Sequence, residues 1–276
     1  GAPAVAKAET EHSSARPVVL LGCGRLGSAI AEGWLATEAL DPAELIILTP
    51  SEKPVAEAAR KRGAWINPPL EALADARVLV VAVKPAMWRA AVAPLVDLLP
   101  ADTVIVSVMA GVPGAALTEA FAARPVVRVM PTTAVAQGRG VAALSSTSAV
   151  ALKAGRALFA AMATVVDLDD EAHMNAATAV AGSGPAFVYA FVQAMAAAGE
   201  AAGLDPVAAE ALARGALRSA GSGADTGRPL ADLVSQIAAP GGTTQAGLDA
   251  MAASVAAPAT AAIKAAAARA EELSGH

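Results

Sequence analysis

The chain has 276 residues, 55% of them hydrophobic and 16% charged, with a formal net charge of -5 and an isoelectric point near 5.3. That is enough for one large or two ordinary domains, and the composition is core-forming rather than disordered. The acidic balance excludes the basic face that nucleic acid requires, and alanine rather than a long, strongly apolar run raises the mean hydropathy, so no membrane partner is expected. The single cysteine, Cys23, excludes an intrachain disulfide and fits a reducing, cytoplasmic setting. Residues 1–16, GAPAVAKAETEHSSAR, lack the apolar stretch of a signal peptide and read as a disordered tail.

A first strand is expected at Pro17–Gly22 (PVVLLG), followed by a glycine-rich turn and a helix from Ser28 to Ala36. Further strands follow at Leu45–Leu48, Val78–Val83, Val104–Val108 and Val126–Met130, with a last one at Thr164–Leu168 and a helix at Pro54–Arg62 between the second and third. Continuous apolar strands alternating with helices predict a parallel sheet covered on both faces. From Asp169 onward strand signals stop. Alanine-rich helices are expected at Asp170–Val180, Pro185–Ala202, Pro206–Ser219, Leu230–Ile237 and Thr243–Leu273. The expected fold is therefore an α/β, Rossmann-like N-terminal domain over 17–168 and an all-α C-terminal domain over 169–276. Alanine side chains bury little apolar area, so five such helices make a thin core alone. Burial against a second copy, as a two-fold homodimer, solves that problem; a compact bundle packed on the first domain is the other solution.

Gly22-Cys23-Gly24-Arg25-Leu26-Gly27 sits between a strand and a helix, the context in which this spacing binds a dinucleotide. Gly22 suits the tight turn, Gly24 the approach of a pyrophosphate, and Gly27 close helix–strand packing. Free N–H groups at the helix start then face the phosphates, with Arg25 and Leu26 in the same loop. An ordinary strand–turn–helix junction is the alternative. After the second strand, Thr49 and Ser51 suit a 2'-phosphate and Lys53 adds positive charge, whereas Glu52 suits a ribose hydroxyl. The balance favours NADPH, with NADH as the alternative. Ala82-Val83-Lys84-Pro85 ends the third strand, where ligands bind in such sheets, and Lys84 is held extended by the proline after it.

Two elements interrupt the helical half. Gly182-Ser183-Gly184-Pro185-Ala186 splits a helical run, as either a tight helix crossing or a ligand wall. Ala238–Leu248, AAPGGTTQAGL, ends one helix at Pro240, leaves an uncluttered loop at Gly241 and Gly242, and starts another helix with Thr243 as its cap. Such a helix start favours a carboxylate, and Thr244 adds a hydroxyl one residue further in. The acidic run Asp169-Asp170-Glu171 reads as a helix start, and no metal site is expected.

These segments together resemble the pyrroline-5-carboxylate reductase family over about residues 17–273. The carriers are LGCGRLGSAIAEGW, VAVKP, SVMAGVP, VRVMPTT, AVAGSGPAFVYAF and APGGTTQAGL. The resemblance implies a nucleotide-binding domain, a helical domain that interlocks two subunits, and reduction of a cyclic imine to L-proline by NAD(P)H. It implies that Gly22, Gly24 and Gly27 bind phosphate and that Ala82, Lys84 and Pro85 line the cofactor loop. It further implies that Gly241, Gly242, Thr243 and Thr244 hold the substrate carboxylate, with Thr244 the catalytic threonine near the ring nitrogen. Four positions depart from the family pattern: Leu26 where methionine is usual, Thr132 where asparagine is common, Ala134 where proline is common, and Ala239 where serine precedes the PGG. A β-hydroxyacid dehydrogenase would need a lysine on the first long helix of the second domain, and none lies between Lys153 and Lys264. A reductase of a related cyclic imine, or a non-enzymatic sensor that binds dinucleotide, are the other readings.

Overall fold

The structure is a computed structural model and describes residues 15–274. The expected N-terminal tail lies outside the described residues except at its end. There Arg16 is anchored, its guanidinium donating to both Asp102 carboxylate oxygens at 2.9 and 2.7 Å. The described residues fall into two compact units, one comprising 15–178 with 270–274 and the other 179–269.

In the first unit, eight strands form one sheet among the described residues: β1 (Val18–Leu21), β2 (Leu45–Leu48), β3 (Trp65–Ile66), β4 (Val78–Val81), β5 (Val104–Ser107), β6 (Val126–Pro131), β7 (Gly140–Ser145) and β8 (Ala163–Asp167). Their spatial order is β3-β2-β1-β4-β5-β6-β7-β8. The expected all-parallel sheet is corrected at one place: β7 pairs antiparallel with β6, and β8 then runs parallel to β7. Helices α1 (Arg25–Thr37), α2 (Pro54–Lys61), α3 (Trp88–Val92), α4 (Gly114–Ala120) and α5 (Ala149–Phe159) connect the strands.

The apolar runs are continuous because alternate residues serve opposite faces. Val18 and Leu20 of β1 join Ile30, Trp34 and Phe159 in one core, while Val19 joins Leu73, Trp88, Leu117 and Phe121 in the other. The Trp34 indole N–H donates to the Leu158 carbonyl at 2.8 Å, which ties α1 to α5 and satisfies a buried donor.

Strand order reverses between β1 and β4, and in open sheets of this kind ligands bind outside the carboxyl ends of the strands at such a switch point. The glycine turn after β1 and the Ala82–Pro85 loop after β4 both lie at this point.

The helical part consists of α6 (Met174–Ala177), α7 (Gly184–Ala201), α8 (Pro206–Ala224), α9 (Leu230–Ile237), α10 (Thr243–Met251) and α11 (Ala256–Ser274). Two expectations are corrected. The Gly182–Gly184 segment does not split the run. Thr178–Ser183 widens into a π-helical turn that carries the backbone from α6 into α7. Pro185 lacks the N–H of a regular helical bond and would crowd the carbonyl four residues earlier, and the wider turn relieves that. The expected single helix over Thr243–Leu273 is instead α10 and α11, bent by 57° at a short break. Pro258 lies in the first turn of α11, where a proline is tolerated.

The second unit buries little of itself. Ala209 and Ala213 are the buried residues of α8, and α7, α9 and α10 have none. Phe187, Val188, Tyr189, Phe191 and Met195 of α7 are exposed. The helical run Glu171–Ala201 is long and apolar enough to cross a membrane by length and composition. An exposed apolar face of this size also marks a surface for another protein chain.

Candidate active site

The turn after β1 is built by close backbone approach. Gly22 has φ +101°, and a Cβ on it would stand 2.7 Å from the Ala82 carbonyl oxygen. A Cβ on Gly27 would stand 2.3 Å from the Gly22 carbonyl oxygen. These two glycines therefore let α1 and the loop after β4 close onto the turn. Gly24 differs: nothing lies within 4 Å of where its Cβ would be. It caps α1 without a side chain, and the first helical residues, Arg25, Leu26 and Gly27, present N–H groups with no partner inside the helix. Open space over unpaired donors at a positive helix end fits a phosphate. Arg25 is exposed and Leu26 half-buried.

Cys23 is 3% exposed beside this turn. Burial pushes its thiol above the ordinary range, and the nearby Lys53 ammonium and Ser28 hydroxyl offset only part of that. Lys84 has the extended conformation expected before Pro85, with ψ 136°, and its side chain is exposed.

Beyond β2 an open cleft of about 890 Å³ is lined by Thr49, Ser51, Lys53, Glu57, Arg60 and Asn67, among others. Thr49 is buried, and its hydroxyl donates to the Ser51 carbonyl at 3.0 Å. That proton is committed inside the loop, so Thr49 shapes the cleft, while Ser51 is exposed on its lining.

Asn67 was not visible as a site residue in the sequence. Its side chain accepts from the Thr49 N–H and donates to the Thr49 carbonyl, both at 2.9 Å. It has φ 45°, a left-handed conformation that asparagine tolerates better than most residues. An asparagine right after a short β-branched or aromatic pair was the only local signal.

In the sequence Glu171 reads as part of a helix start. Asp170 does cap that turn, accepting from the Ala172 N–H at 2.8 Å. Glu171 also pairs with Arg128 at 2.6 Å and accepts from the Gly114 N–H at 2.8 Å. It thus pins β6 and the start of α4 to the segment that leads into α6. Thr132, one of the departures, has a local role: its hydroxyl accepts from the Val141 N–H at 3.0 Å and fixes the β6–β7 corner.

In the second unit, α9 ends at Ile237 and Gly241 turns the chain with φ +73°. The Gly242 N–H donates to the Ala239 carbonyl at 3.0 Å, closing a tight loop. The expected cap is corrected. Gly242 occupies the cap position of α10 and Thr243 is its first helical residue, with no side-chain capping bond. The reason is the Gly242 backbone, which already takes the extended cap conformation at φ -87° and ψ 177°. Neither threonine side chain has a hydrogen-bond partner among the described residues. Thr243 is exposed and Thr244 half-buried. Unpaired N–H groups and two uncommitted hydroxyls meet at one helix start, which suits a carboxylate and one further polar atom.

Comparisons with known proteins place the chain among relatives. Residues 171–273 match the family described as pyrroline-5-carboxylate reductase dimerisation. Residues 17–111 match the family described as NADP oxidoreductase, coenzyme F420-dependent. The pyrroline-5-carboxylate reductase of Pseudomonas aeruginosa is 33% identical over 238 residues, covering 84% of this chain and 86% of that protein. The structure of a pyrroline-5-carboxylate reductase from Coxiella burnetii superposes with a TM-score of 0.84 at 24% identity, covering 95% of this chain and 99% of the other. A Plasmodium falciparum pyrroline carboxylate reductase with NADP bound has a TM-score of 0.73 at 23% identity, covering 94% and 98%. A Rossmann-like domain with its glycine turn, a helical dimerisation region and a relative of one-third identity over most of both chains lead to one conclusion: the chain belongs to the pyrroline-5-carboxylate reductase family.

Proposed function

We propose that this protein reduces 1-pyrroline-5-carboxylate to L-proline with NADPH, the last step of proline biosynthesis, and that it works as a homodimer in the cytoplasm. The observation that carries the reading is the α10 start, where free N–H groups and the Thr244 hydroxyl stand ready in a chain of this family. The exposed apolar side chains of α7 and the match to a dimerisation family support self-association.

NADPH supplies the hydride when bound. Gly22, Gly24, Arg25, Leu26 and Gly27 hold its pyrophosphate through backbone N–H groups, and Ala82, Lys84 and Pro85 form the neighbouring wall. Ser51 and Lys53 meet the 2'-phosphate, with Thr49 as the buried support beneath Ser51. Gly241, Gly242 and Thr243 receive the substrate carboxylate, and the Thr244 hydroxyl orients the ring nitrogen. The imine must be protonated before its carbon accepts a hydride. A cyclic imine is basic enough to take that proton from water or a hydroxyl, so the site needs orientation more than a strong acid. The test is consumption of NADPH on addition of 1-pyrroline-5-carboxylate with formation of L-proline in equal amount. Binding of NADPH without turnover would leave a dinucleotide sensor in its place.

A further inference from the structure

The cleft beyond β2 contains charges of both signs. Lys53 and Arg60 supply positive charge, and Glu52 and Glu57 negative. Arg60 is already engaged. Its Nε donates to Glu57 Oε2 at 2.9 Å and its Nη2 to Oε1 at 2.6 Å. This is a two-pronged grip between neighbours on the same face of α2.

The grip does little to hold the helix in place. The Arg60 and Glu57 side chains are 58% and 50% exposed, and exposed pairs contribute little to stability. The helix is seated instead by Val55, Ala56 and Ala59 on its buried face. The remaining polar lining is largely committed: the Thr49 hydroxyl to Ser51, and both ends of the Asn67 amide to the Thr49 backbone. A guanidinium on the cleft wall, held only by a solvent-exposed carboxylate, is an arrangement that a stronger anion can exchange.

We propose that Arg60 recognises the 2'-phosphate of a phosphorylated dinucleotide and that Glu57 is its built-in competitor. The proposal rests on the dinucleotide reading above and names the residues that set the choice between the phosphorylated and unphosphorylated forms. A phosphate offers more charge and more acceptor oxygens than a carboxylate, so it takes the guanidinium fork from Glu57. A plain ribose hydroxyl has no charge with which to do so, and the Glu57–Arg60 grip stays closed. Glu57 therefore lowers affinity for one cofactor and leaves the other unaffected, and specificity is that difference. Lys53 adds a point charge without the fork.

The test is calorimetric titration with NADPH, NADH, adenosine 2',5'-bisphosphate and 5'-AMP, which needs no turnover. Glu57→Gln is expected to tighten the two 2'-phosphorylated ligands about fivefold and to leave the other two within about twofold. Arg60→Ala is expected to weaken the 2'-phosphorylated ligands about tenfold, again sparing the others. In the Arg60→Ala background, Glu57→Gln should bring no gain, because its effect passes through Arg60. Wild-type affinity for NADPH in Arg60→Ala, or an equal shift for NADH in Glu57→Gln, would overturn the proposal while the dinucleotide reading stands. Failure of the wild-type protein to bind either nicotinamide dinucleotide would overturn both.

Discussion

The Asn67 side chain grips the Thr49 backbone in both directions, accepting from its N–H and donating to its carbonyl at 2.9 Å each. Asn67 follows β3 and Thr49 follows β2, so this clamp fixes the loop that carries Ser51 and Lys53. Asn67→Ala removes both bonds, leaves two part-buried backbone groups unsatisfied and places alanine at a positive φ. The expected cost is about 1–3 kcal/mol of stability, with a several-fold rise in KM for NADPH. Thermal unfolding and steady-state kinetics check both. Unchanged cofactor kinetics would mean that the loop holds its shape without the clamp.

The glycine turn gives a paired prediction. Gly27→Ala forces a Cβ to 2.3 Å from the Gly22 carbonyl, so α1 must shift and the protein loses about 1–3 kcal/mol or more. Gly24→Ala meets nothing within 4 Å and has a φ of -69°, so stability should change by no more than about 0.5 kcal/mol. The new methyl instead occupies the space assigned to the pyrophosphate, and NADPH affinity should fall about tenfold. Calorimetry on the two variants separates a packing glycine from a binding glycine. Full NADPH affinity in Gly24→Ala would show that phosphate does not approach there.

Cys23 offers a probe without mutation, as the chain's single cysteine. It is 3% exposed, and burial raises its thiol above the ordinary range. The thiolate is the reactive form, so labelling of the folded protein near neutral pH should run at least about tenfold slower than after unfolding. The labelling rate should rise with pH as the thiolate fraction grows, and saturating NADPH should slow it further. Rapid labelling of the folded protein that NADPH leaves unchanged would contradict this placement.

Thr244 is the side chain proposed to orient the ring nitrogen. Thr244→Ala should lower kcat/KM for the imine about tenfold or more and leave NADPH affinity unchanged. Thr244→Ser, which keeps the hydroxyl, should restore much of the rate. Gly242→Val is a harsher change, because a Cβ there stands 3.2 Å from the Ala239 carbonyl and the branches enter the loop. It should abolish turnover. An unchanged rate in Thr244→Ala would remove its proposed role.

Much of this fold was legible because its central strands are buried on both faces and its helices carry periodic apolar patterns. Leu45–Leu48 and Leu230–Ile237 have the bounds that their apolar patterns predict. What was not legible lay below the reach of pattern. Trp65–Ile66 pairs with β2 over only two residues, too few for a periodic signal. Gly140–Ser145 has small residues in place of a strong apolar run and gains its strand from pairing with β6. Glycine and proline at 182–185 predicted a break, because composition does not distinguish a broken helix from one widened by a π turn. The turn and loop residues at the candidate site were found through their glycines. Asn67 was not, because its partner lies eighteen residues away and only the fold brings them together.

The central claim is that hydride passes from the nicotinamide ring to the imine carbon in a site completed by Thr244. The most direct measurement supplies NADPH bearing deuterium at both C4 positions together with unlabelled 1-pyrroline-5-carboxylate. The product is then examined by mass spectrometry and NMR. The account predicts L-proline carrying a single deuterium at the former imine carbon, formed in proportion to the NADPH consumed and strongly reduced in Thr244→Ala. Proline without label, or bound NADPH that is never consumed, would contradict it.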